Sequence, residues 1–188
     1  MTAQIHISIL LLLTLLACQP AVDNTQEKLP AQVGESTPEQ ILSQLNIELP
    51  EVSPPVANYV NAVRTGNLIF LAGKGPKKAD DTYIKGKLGA DLTEKEGYEA
   101  ARIVAINQLA VLKAELGELS KVKRIVKVLG MVNATPDFEN HPEVINGFSD
   151  LMVEVFGDAG KHARAAVGMG SLPRNIAVEI EMIVEIEE

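Results

Sequence analysis

Val178-Glu179-Ile180-Glu181-Met182-Ile183-Val184-Glu185-Ile186-Glu187 alternates in character almost residue by residue. Successive side chains of a β-strand point to opposite faces, so such a run reads as a strand with two unlike sides. Val178, Ile180, Met182, Val184 and Ile186 face one way. Glu179, Glu181, Glu185 and Glu187 face the other, interrupted by Ile183. The first face can cover helices; the acidic one should not be left against an apolar neighbour. Upstream, Thr93-Glu94-Lys95-Glu96 forms a capping box that opens an amphipathic helix closed by Gly117, with Ala100, Ile103, Val104, Ile106, Leu109, Ala110, Leu112 and Leu116 on its apolar face. Val122–Val132 reads as a strand, Pro142 opens a second helix ending at Gly157, and another strand spans about 162–170. Before them, residues 56–64 and Leu68–Gly73 read as two strands joined by the turn Arg64-Thr65-Gly66-Asn67, followed by a Lys- and Gly-rich loop over 74–92. The order β-β-α-β-α-β-β predicts a two-layer α+β domain. It is preceded by a short helix over about 38–46, with Thr37 as N-cap, Pro38 at the first helical position and Ile41, Leu42 and Leu45 on one face.

The full chain has 188 residues and a net charge of −8, enough for one domain plus a tail. That charge argues against a dedicated nucleic-acid binder, and four Phe, three Tyr and no Trp leave few platforms on which bases could stack. A single cysteine excludes an internal disulfide and a multi-cysteine zinc site.

That cysteine stands at an informative place. Residues 5–17 form an apolar run of signal-peptide length, and Leu15-Leu16-Ala17-Cys18 matches a bacterial lipobox. Residues 1–17 are expected to be a lipoprotein signal, with Cys18 carrying a lipid anchor after cleavage. Gln19 rather than Asp after the cysteine favours an extracytoplasmic address on the outer membrane over the inner. Residues 18–36, with Pro20, Pro30 and Gly34, read as a flexible tether to a folded domain over 37–188.

Several familiar catalytic arrangements are missing. The histidines His6, His141 and His162 are scattered, no Cys-x-x-Cys or His-x-x-x-His pair offers a metal site, and no nucleophile elbow is present. Gly73-Lys74-Gly75-Pro76 reads as a turn after the second strand, with phosphate binding as the alternative. Lys74, Lys77, Lys78, Lys85 and Lys87 make a basic loop, read as solvated. The segment from Lys161 to Asn175 is more telling. Arg164 sits among Ala163, Ala165, Ala166, Val167 and Gly168, small residues that leave room for a carboxylate or phosphate in a bidentate fork. The competing expectation pairs Arg164 with a glutamate of an adjacent strand, Glu179 or Glu181. His162 is either a second ligand contact or an exposed residue at the strand start.

With these residues the chain resembles the RidA/YjgF family of reactive-intermediate deaminases, also called the L-PSP endoribonuclease family, and its chorismate-mutase-like branch in particular. The resemblance spans about 45–187 and rests on Pro55–Val60, Gly66–Gly73, His162-Ala163-Arg164-Ala165-Ala166-Val167, Leu172-Pro173 and Val178-Glu179-Ile180-Glu181, with Val126–Asn133 and Val144-Ile145-Asn146-Gly147 supporting the branch. It implies a homotrimer with ligand clefts between subunits. It implies that Arg164 grips a substrate carboxylate, that Glu179 holds a water, and that Tyr59, Gly73 and Asn146 line the cleft. No metal or organic cofactor is implied. The chain departs from the family at Ala72-Gly73-Lys74 (usually Ser-Gly-Gln), at Lys161-His162 (usually Phe-Pro) and at Ala166 (often Cys).

The expected activity is hydrolysis of a small enamine or imine, a 2-imino acid giving a 2-keto acid and ammonia. A non-catalytic binder of small carboxylates using the same cleft is the alternative, and the ribonuclease of the family's older name a third. A carboxylate-bearing substrate, a homotrimeric assembly, membrane attachment through lipid alone and no nucleic acid are the partners expected.

Overall fold

A computed structural model describes residues 36–55 and 57–187. The signal, Cys18, the tether up to residue 35 and His6 lie outside them, as does Val56 of the family-like Pro55–Val60 block. The elements are α1 (Pro38–Gln44), β1 (Ala62–Thr65), β2 (Leu68–Lys74), α2 (Glu94–Leu116), β3 (Val122–Asn133), α3 (His141–Phe156), β4 (Ala163–Met169) and β5 (Val178–Ile186). One sheet runs in the order β1-β2-β5-β3-β4, antiparallel except for β3 and β4, and α2 and α3 pack on one face of it. This is the expected two-layer α+β arrangement.

The capping signals act as read. Thr93 and Glu96 bond each other's backbone N–H groups at the start of α2, and Thr37 caps α1, where Gln40 adds a reciprocal bond that the sequence reading does not name. Val178, Ile180, Met182, Val184 and Ile186 are all buried on the face that α2 covers. Burying five such side chains contributes roughly 1.5–3 kcal/mol each before entropy is charged against it. The helices themselves meet closely at Gly147. A Cβ there would stand 2.9 Å from the Tyr98 carbonyl carbon and 3.2 Å from the Arg102 N, closer than packed atoms tolerate.

Two boundaries differ from the sequence reading. The first strand begins at Ala62, not at 56, because Tyr59 N–H bonds the Ala57 carbonyl and folds the segment into bends. Tyr59 therefore stands before β1 rather than on it. Gly73 and Lys74 belong to β2 and are not a turn after it; a register shift against β5 between Leu71 and Lys74 lies at this point.

Candidate functional site

Register decides which face each candidate occupies. Arg164 on β4 is the Cα partner of Val128, which is fully buried on the helix face of β3. Glu179 on β5 is the partner of Met131, on the opposite face. Directly paired residues share a face, so within one chain Arg164 and Glu179 lie on opposite sides of the sheet. Neither Glu179 nor Glu181 can be the arginine's partner, because the strand beside β4 is β3.

Arg164 is held instead by α3. Its Nη1 donates to Asn146 Oδ1 at 2.9 Å and to Ser149 Oγ at 3.0 Å. Asn146 and Ser149 are three residues apart and share one side of the helix. His162 is neither an exposed strand-start residue nor an open ligand contact. Its ring is half-buried, Nδ1 lies 2.7 Å from the Gly160 carbonyl oxygen and Nε2 lies 3.0 Å from Ser149 Oγ. Burial, and then the charge of Arg164, push the imidazole pKa down, against the upward pull of the Gly160 carbonyl.

On the other face, Glu179 lies over Gly73. A Cβ on residue 73 would strike the Glu179 Oε1 and come within 3.1 Å of its Cγ and Cδ, so only glycine lets the carboxyl lie against the β2 backbone. Burial first, and then the nearby Glu181 charge, raise the Glu179 pKa above the ordinary carboxylate value. Gln108 of α2, which the sequence reading put on no functional face, is fully buried here. Its Nε2 donates to Ala72 O at 3.0 Å and Ile180 O at 2.8 Å, pinning the two strands one residue away from Gly73 and Glu179. A lone Gln in an apolar helical stripe is its only sequence signal.

The candidates thus fall into two groups: Arg164 with Asn146, and Glu179 with Gly73. Tyr59 is 48% exposed and stands just before the end of β1 that pairs with β2. The lysine loop is less solvated than expected. Lys74 is half-buried beside Asn61 Oδ1, and burial lowers its pKa. Lys77 pairs with Asp81 at 2.6 Å, and Lys87 donates to Gly170 O at 2.6 Å and Asn133 Oδ1 at 3.1 Å. A cavity of about 610 Å3 between residues 48–54, the loop from Lys74 to Tyr83, and α2 is lined by none of the five site candidates. A depression of about 250 Å3 on the open sheet face is lined by Phe70, Leu129, Ala165, Glu181 and Ile183 among others. Apolar Val63, Phe70 and Val167 are exposed at 55%, 41% and 40%. Among the described residues no group of three or more His, Cys, Asp or Glu could hold a metal ion.

Residues 39–186 match the family described as "YjgF/chorismate mutase-like, putative endoribonuclease". A Trypanosoma cruzi protein named TCP17 is 42% identical over 77% of this chain and 91% of its own length. A 2-iminobutanoate/2-iminopropanoate deaminase of Dermatophagoides farinae is 30% identical over 75% of this chain and 95% of its own. A crystal structure of an Agrobacterium tumefaciens protein of unknown function superposes with a TM-score of 0.74 at 41% identity, covering 81% of this chain and 94% of that one.

Proposed function

The chain belongs to the YjgF/chorismate mutase-like family that includes the RidA proteins, and on that premise we propose that it hydrolyses small 2-imino acids or their enamine tautomers to 2-keto acids and ammonia. The observation that carries this reading is Arg164, whose Nη1 is fixed by Asn146 and Ser149 while Nε and Nη2 have no hydrogen-bond partner among the described residues. A carboxylate docks on that edge, and positioning of this kind is a large share of the catalysis required. Water adds to the imine carbon and gives a proton to the Glu179 carboxylate. The protonated carboxyl then returns it to the departing nitrogen, and the carbinolamine collapses to carbonyl and ammonia. A carboxyl held above its ordinary pKa suits both duties better than an unperturbed one.

Because Arg164 and Glu179 occupy opposite faces, a complete cleft takes one from each of two copies. Tyr59 from a neighbouring chain closes it, and the assembly is a homotrimer. The exposed Val63, Phe70 and Val167 on the sheet support an association that covers them. The protein acts outside the cytoplasm, held to the membrane through a lipid on Cys18. Glu179 and Glu181 side by side, with the net charge of −8, oppose RNA as a substrate.

The test is ammonia release from 2-iminobutanoate generated in situ. Wild type turns over and Arg164→Ala does not. Tight binding of 2-oxobutanoate without turnover by wild type converts the reading to a non-catalytic binder. Light scattering that finds only a monomer at micromolar concentration removes the shared cleft. Equal labelling of wild type and Cys18→Ser by a palmitate analogue removes the anchor.

A further inference from the structure

The side of Arg164 that faces away from ligand is wired in one direction. The Gly160 carbonyl can only accept, so His162 must carry its proton on Nδ1 to make the 2.7 Å contact. In the neutral ring Nε2 is then an acceptor, and the hydroxyl of Ser149 donates to it across 3.0 Å. That leaves the Ser149 oxygen lone pairs to accept from Arg164 Nη1 at 3.0 Å. Nη1 has two hydrogens, and Asn146 Oδ1 takes the other at 2.9 Å. Nothing in this chain of donors is free to reverse while the ring is neutral. Gly160 itself lies flush on α3, where a Cβ would come within 2.5 Å of the Met152 carbonyl carbon and 2.8 Å of the Val153 Cα, so its carbonyl is a fixed end point.

We propose that His162 and Ser149 are positioning residues which occupy Nη1 of Arg164 and leave its Nε and Nη2 hydrogens as the only fork, so that a ligand carboxylate docks side-on at that edge. An arginine has two bidentate edges, Nη1/Nη2 and Nε/Nη2, and with both Nη1 hydrogens consumed only the second can serve a carboxylate with two parallel bonds. The selection excludes ligands whose carboxylate is presented along the guanidinium axis. The low basicity of the half-buried imidazole agrees with a ring that stays neutral in this role. The charges next to it in sequence, Asp158 and Lys161, pair with each other at 2.6 Å and leave the ring to Ser149 and Gly160. The proposal rests on Arg164 being the carboxylate site, as the proposed function holds.

The experiment uses the full chain with 2-oxobutanoate as probe. In 15N spectra at pH 8, His162 of wild type should show the Nδ1-protonated tautomer, and the Arg164 Nε–H resonance should move on adding the probe. Ser149→Ala should weaken probe binding about fivefold, the worth of one hydrogen bond of about 1 kcal/mol, with the melting temperature held. Ser149→Thr, which restores a hydroxyl, should recover it. His162→Leu should resemble Ser149→Ala; if that variant does not fold, the serine pair and the wild-type spectra carry the test. An Nε2-protonated ring, an unmoved Nε–H resonance with bound probe, or full affinity in Ser149→Ala overturns the proposal. If Arg164→Lys binds the probe as well as wild type, the carboxylate site itself is misassigned. The tautomer then still decides whether the relay exists.

Discussion

The arginine half of the site and the glutamate half are built by opposite means. Arg164 is surrounded by partners: Asn146, Ser149 and, one bond further, His162 fix its orientation from α3 and the turn before β4. Glu179 is surrounded by costs: burial and a like charge act on it, and its room comes from the missing side chain of Gly73. One half is a binding group oriented by neutral hydrogen-bond partners. The other is a titratable group held away from its preferred state. That division matches binding and proton transfer respectively, and it leads to separate expectations for each half.

The largest effect belongs to the glutamate half. Glu179→Gln keeps the shape and removes the base, so turnover of a 2-imino acid should fall by about 10²–10⁴-fold while the affinity for 2-oxobutanoate changes little. The same change should stabilise the fold at neutral pH. A carboxyl whose folded pKa is raised lends stability below its unfolded pKa and loses it as pH rises through the folded value, and Gln has no such loss. Melting curves at pH 5 and pH 8 check this: the gain of Glu179→Gln over wild type should be larger at pH 8. A variant less stable than wild type at both would show that the carboxylate is favourably partnered in the native state.

Gly147→Ala attacks the other half through the scaffold. The added methyl meets the α2 backbone at Tyr98 and Arg102, and overpacking of this kind costs about 1–3 kcal/mol. A shift of α3 carries Asn146 and Ser149 with it, so carboxylate binding should weaken in any fraction that still folds. The acid limb of the pH profile, which the proposed mechanism assigns to Glu179, should stay where it is. Urea unfolding and a pH–rate profile of the same variant check both. If the acid limb moves as far as the affinity, the two halves are not independent.

Arg164→Lys preserves charge and removes the fork. Affinity for small carboxylates should fall at least tenfold, which is about 1.4 kcal/mol. A lysine that binds as tightly would reduce the arginine to a structural anchor of α3.

The two halves were also unequally legible in the sequence. Element order, the Thr93–Glu96 capping box, the Thr37 N-cap and the buried face of β5 follow from local periodicity and cap chemistry, and all are present. Arg164 stands out as a candidate through its small neighbours, whereas the site role of Glu179 enters only through the family resemblance. Their placement on opposite faces does not follow, because period two within a strand says nothing about which neighbour it pairs with or in what register. β4 pairs parallel with β3, Arg164 lying opposite Val128, and that long-range choice put the arginine under α3. Ser149 was missed for a related reason: its spacing from Asn146 is visible, yet only the tertiary structure shows that this side of α3 meets β4. A strand over residues 56–64 would carry Tyr59, but the Tyr59 N–H to Ala57 carbonyl bond folds that segment and the ladder with β2 begins at Ala62.

The smallest effect is the most specific to the glutamate half. Glu181 lies two residues from Glu179 on the same sheet face, and its charge is the lesser of the two causes that raise the Glu179 pKa; burial is the greater. Glu181→Gln should therefore move the acid limb of the pH–rate profile to lower pH without bringing it down to the ordinary carboxylate range. Raising the ionic strength in wild type should move the limb in the same direction and by no more, because salt screens the exposed Glu181 charge and leaves the burial untouched. The Arg164 half predicts no change in Glu181→Gln, so affinity for 2-oxobutanoate at pH 8 serves as the internal control for that variant, whereas added salt also weakens the attraction of a carboxylate to the exposed Arg164. A limb that drops to the ordinary range in Glu181→Gln would make charge repulsion, and not burial against β2, the cause of the shift. The role assigned to Gly73 would fall with it, since what Gly73 provides is the close backbone contact that buries the carboxyl.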